Sequence, residues 1–323
     1  MGRLTAGLVT ATVLTVTASG CVTVHGEREV VPSATRAEAA QALTDFTDAY
    51  NRANKAYDPA LDAGQVTGAF GATTQAGFSV RHVTSPSGNA RYTPLALGDT
   101  AYAIPKQAGW PRWFVADTDS NRDQDDKGPG DTRWLLLFTR GGPDQGWKLA
   151  YLSVLGAGDV PAFKKDKDGW AEPVRAGDTS LAVAPKELSA DYASYLQGGK
   201  PPVFADGEHT SGWREARRKD AVRSGRVSQF IDQPLSEGDF APLSLRTADG
   251  RALVFFAARH FERQTVAKGV RLDITPDEKA LLTGRATSSL TREWISNELA
   301  LVPAKGEVLV ANRVQGLVGV RGE

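Results

Sequence analysis

One cysteine in 323 residues, Cys21, constrains this chain more than any other feature. With no second cysteine, no intramolecular disulfide can staple the fold. Whatever folds must be held by packing alone. The position of Cys21 is as informative as its solitude. Arg3 supplies one positive charge, and from Leu4 to Gly20 no residue is charged. Leu8, Val9, Val13, Leu14 and Val16 give that stretch its apolar bulk. It falls short of the ~20 apolar residues that a spanning helix needs, and it matches the apolar region of a secretory signal.

The stretch ends in Ala18-Ser19-Gly20-Cys21. Small residues immediately before a cysteine resemble the lipobox of bacterial lipoproteins, with Ala18 where that family prefers Leu. The resemblance implies that residues 1–20 are a lipoprotein signal peptide and that Cys21 becomes the lipidated first residue of the mature chain. Two or more acyl chains anchor stably where one does not. The expected location is the extracytoplasmic face of the cell membrane.

Composition narrows the rest. Hydrophobic residues make up 41% and charged residues 24%, with a formal net charge of zero. Without Arg3, 37 basic residues stand against 38 acidic ones, which gives no electrostatic footprint for nucleic acid. Few Met and Cys beside abundant Ala, Gly, Arg and Val point to a GC-rich, actinobacterial source.

Along the chain, residues 21–34 read as a tether. Thr35-Arg36-Ala37-Glu38 fits a capping box, followed by Ala39, Leu43, Phe46, Tyr50 and Ala53 at helical spacing. A second helix is expected from Asp62 to Phe70. Strands follow at 92–97, 100–104, 113–116, 133–139 and 147–155, the last two joined by the Gly141-Gly142-Pro143-Asp144-Gln145-Gly146 turn. Residues 164–180 read as a linker, after which the order restarts. Leu188, Tyr192, Tyr195 and Leu196 form a helical face, 211–223 a second helix, and 240–245, 252–260, 292–301 and 307–318 strands. Tyr92-Thr93-Pro94-Leu95-Ala96-Leu97 matches Phe240-Ala241-Pro242-Leu243-Ser244-Leu245, and Thr132-Arg133-Trp134 matches Thr291-Arg292-Glu293-Trp294, in the same order. An internal duplication accounts for both.

The expected fold class is therefore α+β. Two tandem domains, 35–163 and 181–323, each carry N-terminal helices packed on a curved antiparallel sheet. That element order resembles the cystatin-like cone of nuclear-transport-factor-2-like proteins, and the tandem arrangement resembles actinobacterial lipoproteins of unknown function. The first resemblance implies a cone that hosts enzymes, ligand binders or scaffolds, so the fold leaves function open.

Candidate chemistry is sparse. Asp117, Asp119, Asn121, Asp123 and Asp125 place oxygen side chains at every second position, as a hard cation such as Ca²⁺ requires. The run resembles the first half of an EF-hand loop, but Arg122 replaces the turn glycine and Gly128 the bidentate Glu. Arg214, Arg217, Arg218, Lys219, Arg223 and Arg226 form a basic run that suits anionic lipid or a solvated helix face blunted by Glu215 and Asp220. Trp110, Trp113, Phe114, Trp134 and Trp147 make either a sugar-stacking platform or core. His25, His82, His209 and His260 form no zinc pattern, and no Gly-x-Ser-x-Gly elbow occurs. His260 alone falls on a strand where it can face a pocket. No catalytic set and no cofactor is expected beyond the Ca²⁺ candidate. Three roles remain open: a non-enzymatic envelope module that binds a protein or small ligand, an enzyme with its site inside one cone, and a structural scaffold.

Overall fold

A computed structural model describes residues 29–123, 128 and 130–323. The signal segment and Cys21 lie outside the described residues, as does Asp125. Among the described residues no helix is long and apolar enough to cross a membrane.

The first half opens with helix α1, Arg36–Ala56, begun by the expected capping box: Thr35 and Glu38 exchange side-chain-to-backbone hydrogen bonds. Helix α2 runs Gly68–Thr84. A four-stranded antiparallel sheet follows, made of β1 (Leu97–Ala103), β2 (Arg112–Ser120), β3 (Thr132–Arg140) and β4 (Lys148–Gly156) in sequence order. The second half also opens with helices, α3 (Leu188–Gly198) and α4 (Trp213–Asp220). Its seven-stranded sheet contains β5 (Arg226–Leu235), β6 (Leu243–Arg246), β7 (Ala252–Val266), β8 (Ser289–Val302) and β9 (Leu309–Gly322), with two short edge segments. A short helix, α5, spans Pro276–Leu281 between β7 and β8. The architecture is α+β.

Strand alternation explains the packing, because successive side chains face opposite sides of a sheet. On β2 and β3, Phe114, Ala116, Leu136 and Phe138 face α1 and pack with Leu43 and Phe46. Their neighbours Trp113, Val115, Leu135 and Leu137 face the other way, onto Leu253, Phe255, Leu299 and Leu301 of the second sheet. The far side of that sheet, Ala252, Val254, Phe256, Ala258, Ala300 and Val302, receives Leu188, Tyr192 and Leu196 of α3. The layers run helix, sheet, sheet, helix, and both halves contribute to the central core. Residues 164–180 are stitched to both halves: Lys164 N–H donates to the Arg246 carbonyl, Ala171 N–H to Ile104 and Val174 N–H to Ser244.

The expectation of a curved, cone-like sheet in each half is corrected. Both sheets are open, running to an edge strand on either side, and neither curls or closes. The reason lies in the packing. A cone keeps one concave face for its own helix or ligand, whereas here each sheet is pressed between helices and the other sheet, so both faces are already in use.

Candidate functional site

Beyond the end of α3 the outer face of the second sheet changes from apolar to polar. Along β7 the residues on this face run Ala252, Val254, Phe256, Ala258 and then His260, Glu262, Gln264; along β8 they run Val302, Ala300 and then Glu298, Ser296, Trp294, Arg292. Antiparallel register sets His260 beside Asp232 of β5 on one side and Trp294 on the other. The same register sets Glu298 beside Arg313 of β9.

Helix α4 roofs this polar end. The Tyr192 hydroxyl donates to the His209 carbonyl at 2.6 Å, and the Thr210 hydroxyl to the Ala205 carbonyl at 2.6 Å, which fix the turn that launches α4 from α3. The helix turns Arg217 inward while Arg218 and Lys219 pair with Glu215, and Arg223, just beyond its end, pairs with Asp220. Half of the basic run, Arg218, Lys219 and Arg223, is thus a self-paired surface, and Arg217 is its buried member.

A continuous chain of polar contacts runs beneath the roof. The Arg217 Nη1 donates to both Asp232 carboxylate oxygens at 2.8 Å. Asp232 Oδ1 lies 2.6 Å from His260 Nδ1, and His260 Nε2 lies 2.6 Å from Ser296 Oγ. Ser296 in turn contacts the Glu298 carboxyl, which lies 3.5 Å from Arg313 Nε. Both guanidiniums lie over the Trp213 indole, their carbons 4.8 Å (Arg217) and 4.0 Å (Arg313) from the ring centroid. Trp213 Nε1, Arg217 Nε, Arg313 Nε and Glu298 Oε2 are buried without a hydrogen-bond partner among the described residues. Four such atoms in one cluster depart from ordinary core packing.

Burial sets the proton affinities. It pushes the His260 imidazole down to about 4, against the pull of Asp232. Burial also raises the Glu298 carboxyl to about 7, against the charge of Arg313 and the Ser296 hydrogen bond. At Asp232 burial pushes upward too, but His260 and Arg217 outweigh it and hold the carboxyl below its ordinary value.

The chain borders two openings on either side of α4. One, of about 210 Å³, is walled by Trp213, Phe230, His260 and Trp294, with Arg217 and the carboxylates of Asp220 and Glu262 also lining it. The other is a broader groove of about 700 Å³ reached by Gln197, Arg214, Arg217 and Ser228. Arg217 lines both. The Asp232–His260–Ser296 order is that of an oriented hydroxyl nucleophile. Yet Ser296 is fully buried and its oxygen is engaged by Glu298, so the relay shares protons rather than presenting a hydroxyl.

The residues of the expected cation loop part company. Asp117 pairs with Arg133 at 2.7 Å. The Asn121 side chain accepts from Ala96 N–H and donates to the Pro94 carbonyl. Asp119 and Asp123 do converge, with Asp131 as a third, half-buried carboxylate that the sequence reading did not include. The aromatic cluster divides as well: Trp113 is core, Trp134 and Trp147 pack against the α1 cluster, and Trp110 stacks on Arg112 and Arg140. Of the other histidines, His25 lies outside the described residues, His82 is bonded to the Tyr57 carbonyl, and His209 is half-buried.

A family model described as "Domain of unknown function (DUF8094)" matches residues 30–322. The chain belongs to this family. The DUF8094 chain is 56% identical over 316 residues to an "Uncharacterized lipoprotein" of Streptomyces coelicolor, covering 97% of this chain and 93% of the relative. It is 52% identical over 327 residues to an "Uncharacterized lipoprotein" of Streptomyces avermitilis, covering 100% of this chain and 96% of the relative. A second S. coelicolor "Uncharacterized lipoprotein" is 29% identical over 225 residues, covering 65% of this chain and 60% of the relative. No solved structure matches the DUF8094 chain.

Proposed function

We propose that this DUF8094 chain is a lipoprotein held by Cys21 on the extracytoplasmic face of the cell membrane, where it binds a small ligand in the cleft beneath α4. The anchor is supported by the lipobox-like Ala18-Ser19-Gly20-Cys21 and by relatives that carry the name lipoprotein over nearly their whole length. The cleft is supported by one observation above all. A sheet face that would otherwise be core carries a hydrogen-bonded chain of Arg217, Asp232, His260, Ser296 and Glu298, and that chain ends at an aromatic-walled opening. Burying charge is costly and stabilises a fold less than apolar packing does, so such a chain points to use rather than support.

Enclosure of Ser296 favours binding over catalysis. An enzyme reading requires turnover that is lost when Ser296 is replaced by Ala. Binding requires only that ligands which raise the melting temperature lose their effect in Trp294→Ala, the substitution that strips one wall. Shifts that persist unchanged in that variant would exclude the cleft. For the anchor, Cys21→Ala releases the protein from membranes; unchanged fractionation would exclude lipidation there.

A weak cation site at Asp119, Asp123 and Asp131 is a second reading. It is supported by their ligand oxygens lying within 4.8 Å of one another and by a buried, unpartnered Asp123 Oδ1. Millimolar Ca²⁺ raises the melting temperature on this reading, and indifference to Ca²⁺ and chelator alike refutes it.

A further inference from the structure

Asp232 accepts from Arg217 and from His260 Nδ1, so the Nδ1 position carries a hydrogen. If the imidazole is neutral, its Nε2 is an acceptor and the single Ser296 hydrogen is spent on it at 2.6 Å. The contact between Ser296 and Glu298 must then take its hydrogen from a protonated Glu298. If Glu298 is instead ionised, Ser296 donates to it and His260 must be doubly protonated. Both arrangements contain the same number of protons, one more than ionised Glu298 with neutral His260 would supply. The opposing effects of burial on the two groups place that proton at the Glu298 end.

With the extra proton in place, the Arg217 and Arg313 guanidiniums face one net negative charge, and the cluster holds one uncompensated positive charge. Around Glu298 stand Arg313 from β9, Asp232 from β5, His260 from β7 and Arg217 from α4. The phenols of Tyr192 on α3 and Tyr151 on β4, kept protonated by burial, complete the shell. Two further carboxylates line the opening itself: Asp220, paired with Arg223, and Glu262, which accepts from the Ser228 hydroxyl and lies 3.8 Å from Arg292. At the small opening Arg217 meets the walls formed by Trp294 and Phe230.

Resting on the cleft being the binding site, we propose that it takes up a small ring compound bearing one negative charge together with one proton, the proton held between Ser296 and Glu298. The anion neutralises the charge that the proton leaves, and each strengthens the other. This is linkage, so the coupling is reciprocal. Affinity is highest when the chain is fully hydrogen-bonded and falls as pH rises and the proton is lost.

The test uses the full-length protein in detergent, with 4-fluorobenzoate and its neutral counterpart 4-fluorobenzamide as probes in fluorine NMR titrations between pH 5.5 and 8.5. The benzoate is expected to weaken by roughly tenfold for each pH unit above neutrality at the limit of one linked proton, while the benzamide is weaker and insensitive to pH. In Glu298→Gln the amide N–H replaces the carboxyl O–H as donor to Ser296, so the low-pH affinity persists across the range. Calorimetry of the wild type in phosphate and in Tris at pH 7.5 counts the proton without any variant, and uptake on benzoate binding is expected. Benzoate affinity independent of pH, or no proton uptake, overturns the inference. If both probes bind alike at every pH, the cleft stands and the coupling falls. If neither binds, the inference falls, and the cleft is judged separately by the thermal shifts of the Trp294→Ala variant.

Discussion

Asp232 is the residue on which the buried chain turns. It is 4% exposed and receives Arg217 and His260 at once. Breaking a buried pair from one side strands the other charge, so Asp232→Ala is expected to lower stability by about 3–5 kcal/mol in a denaturant titration. A loss under 1 kcal/mol would mean that Arg217 finds solvent easily and that the cluster is not closed. Glu298 gives a pH signature. Its folded-state value of about 7 lies above the ordinary 4.5, so the folded protein binds more protons than the unfolded chain between those values. Its contribution is therefore greatest below about pH 4.5 and is lost as pH rises towards 7. His260 acts in the opposite sense, since its value falls from 6.5 to about 4 and its contribution is lost as pH drops through that window. Comparing Glu298→Gln with wild type cancels the histidine. The variant is expected to gain roughly 3 kcal/mol relative to wild type between pH 4.5 and 7.5. A difference flat with pH contradicts a buried, protonated Glu298. Little of this was legible beforehand. His260 was visible as a strand histidine that can face a pocket, but Asp232, Ser296 and Glu298 acquire meaning only once register sets three strands side by side.

At the scale of elements, α1 was the clearest in the sequence, because capping box and apolar spacing agree on its start. Thr35→Ala removes one cap bond and is expected to cost about 1 kcal/mol, read as a lowered melting temperature. An unchanged melting temperature would show that packing of Leu43 and Phe46 alone holds the helix. Helix α2 was misplaced at both ends: expected over Asp62 to Phe70, it runs Gly68–Thr84. The reason for the late start is tertiary: Leu149 N–H donates to Gln65 and Thr67 N–H donates to Leu149, so these residues bridge to β4 and the helix waits for Gly68. Strand β5 was missed altogether. Its apolar Val227 and Ile231 face solvent while Ser228 and Asp232 are buried, the reverse of a half-buried strand. That inversion hid the strand, and it is also what builds the site. The polar positions Arg292, Ser296 and Glu298, on one face with Trp294, carried the same signal within a strand expected from the sequence.

Across the whole molecule, helices followed by antiparallel strands were expected in each half, but the way the halves meet was not legible. Face-to-face packing depends on Phe255 and Leu299 of one sheet finding Val115 and Leu137 of the other, and no spacing rule reports such partners. The shared core predicts one cooperative unfolding transition for the folded part. Phe255→Ala is expected to shift that whole transition by about 3–5 kcal/mol, and two resolved calorimetric peaks would instead mean that each half melts alone. The seam has a second anchor at Gly68, which adopts φ +55° and abuts the Asp239 carbonyl of the other half. A methyl group there has no room. These contacts hold rigid the frame on which α4 roofs the polar face. The central claim is that this roofed face binds a small ligand, and the most direct measurement is a crystal structure of the protein soaked with a library of small ring compounds. The account expects bound compounds to gather between Trp294, Phe230 and Arg217. Compounds found only elsewhere, with this opening bare across the library, would contradict it.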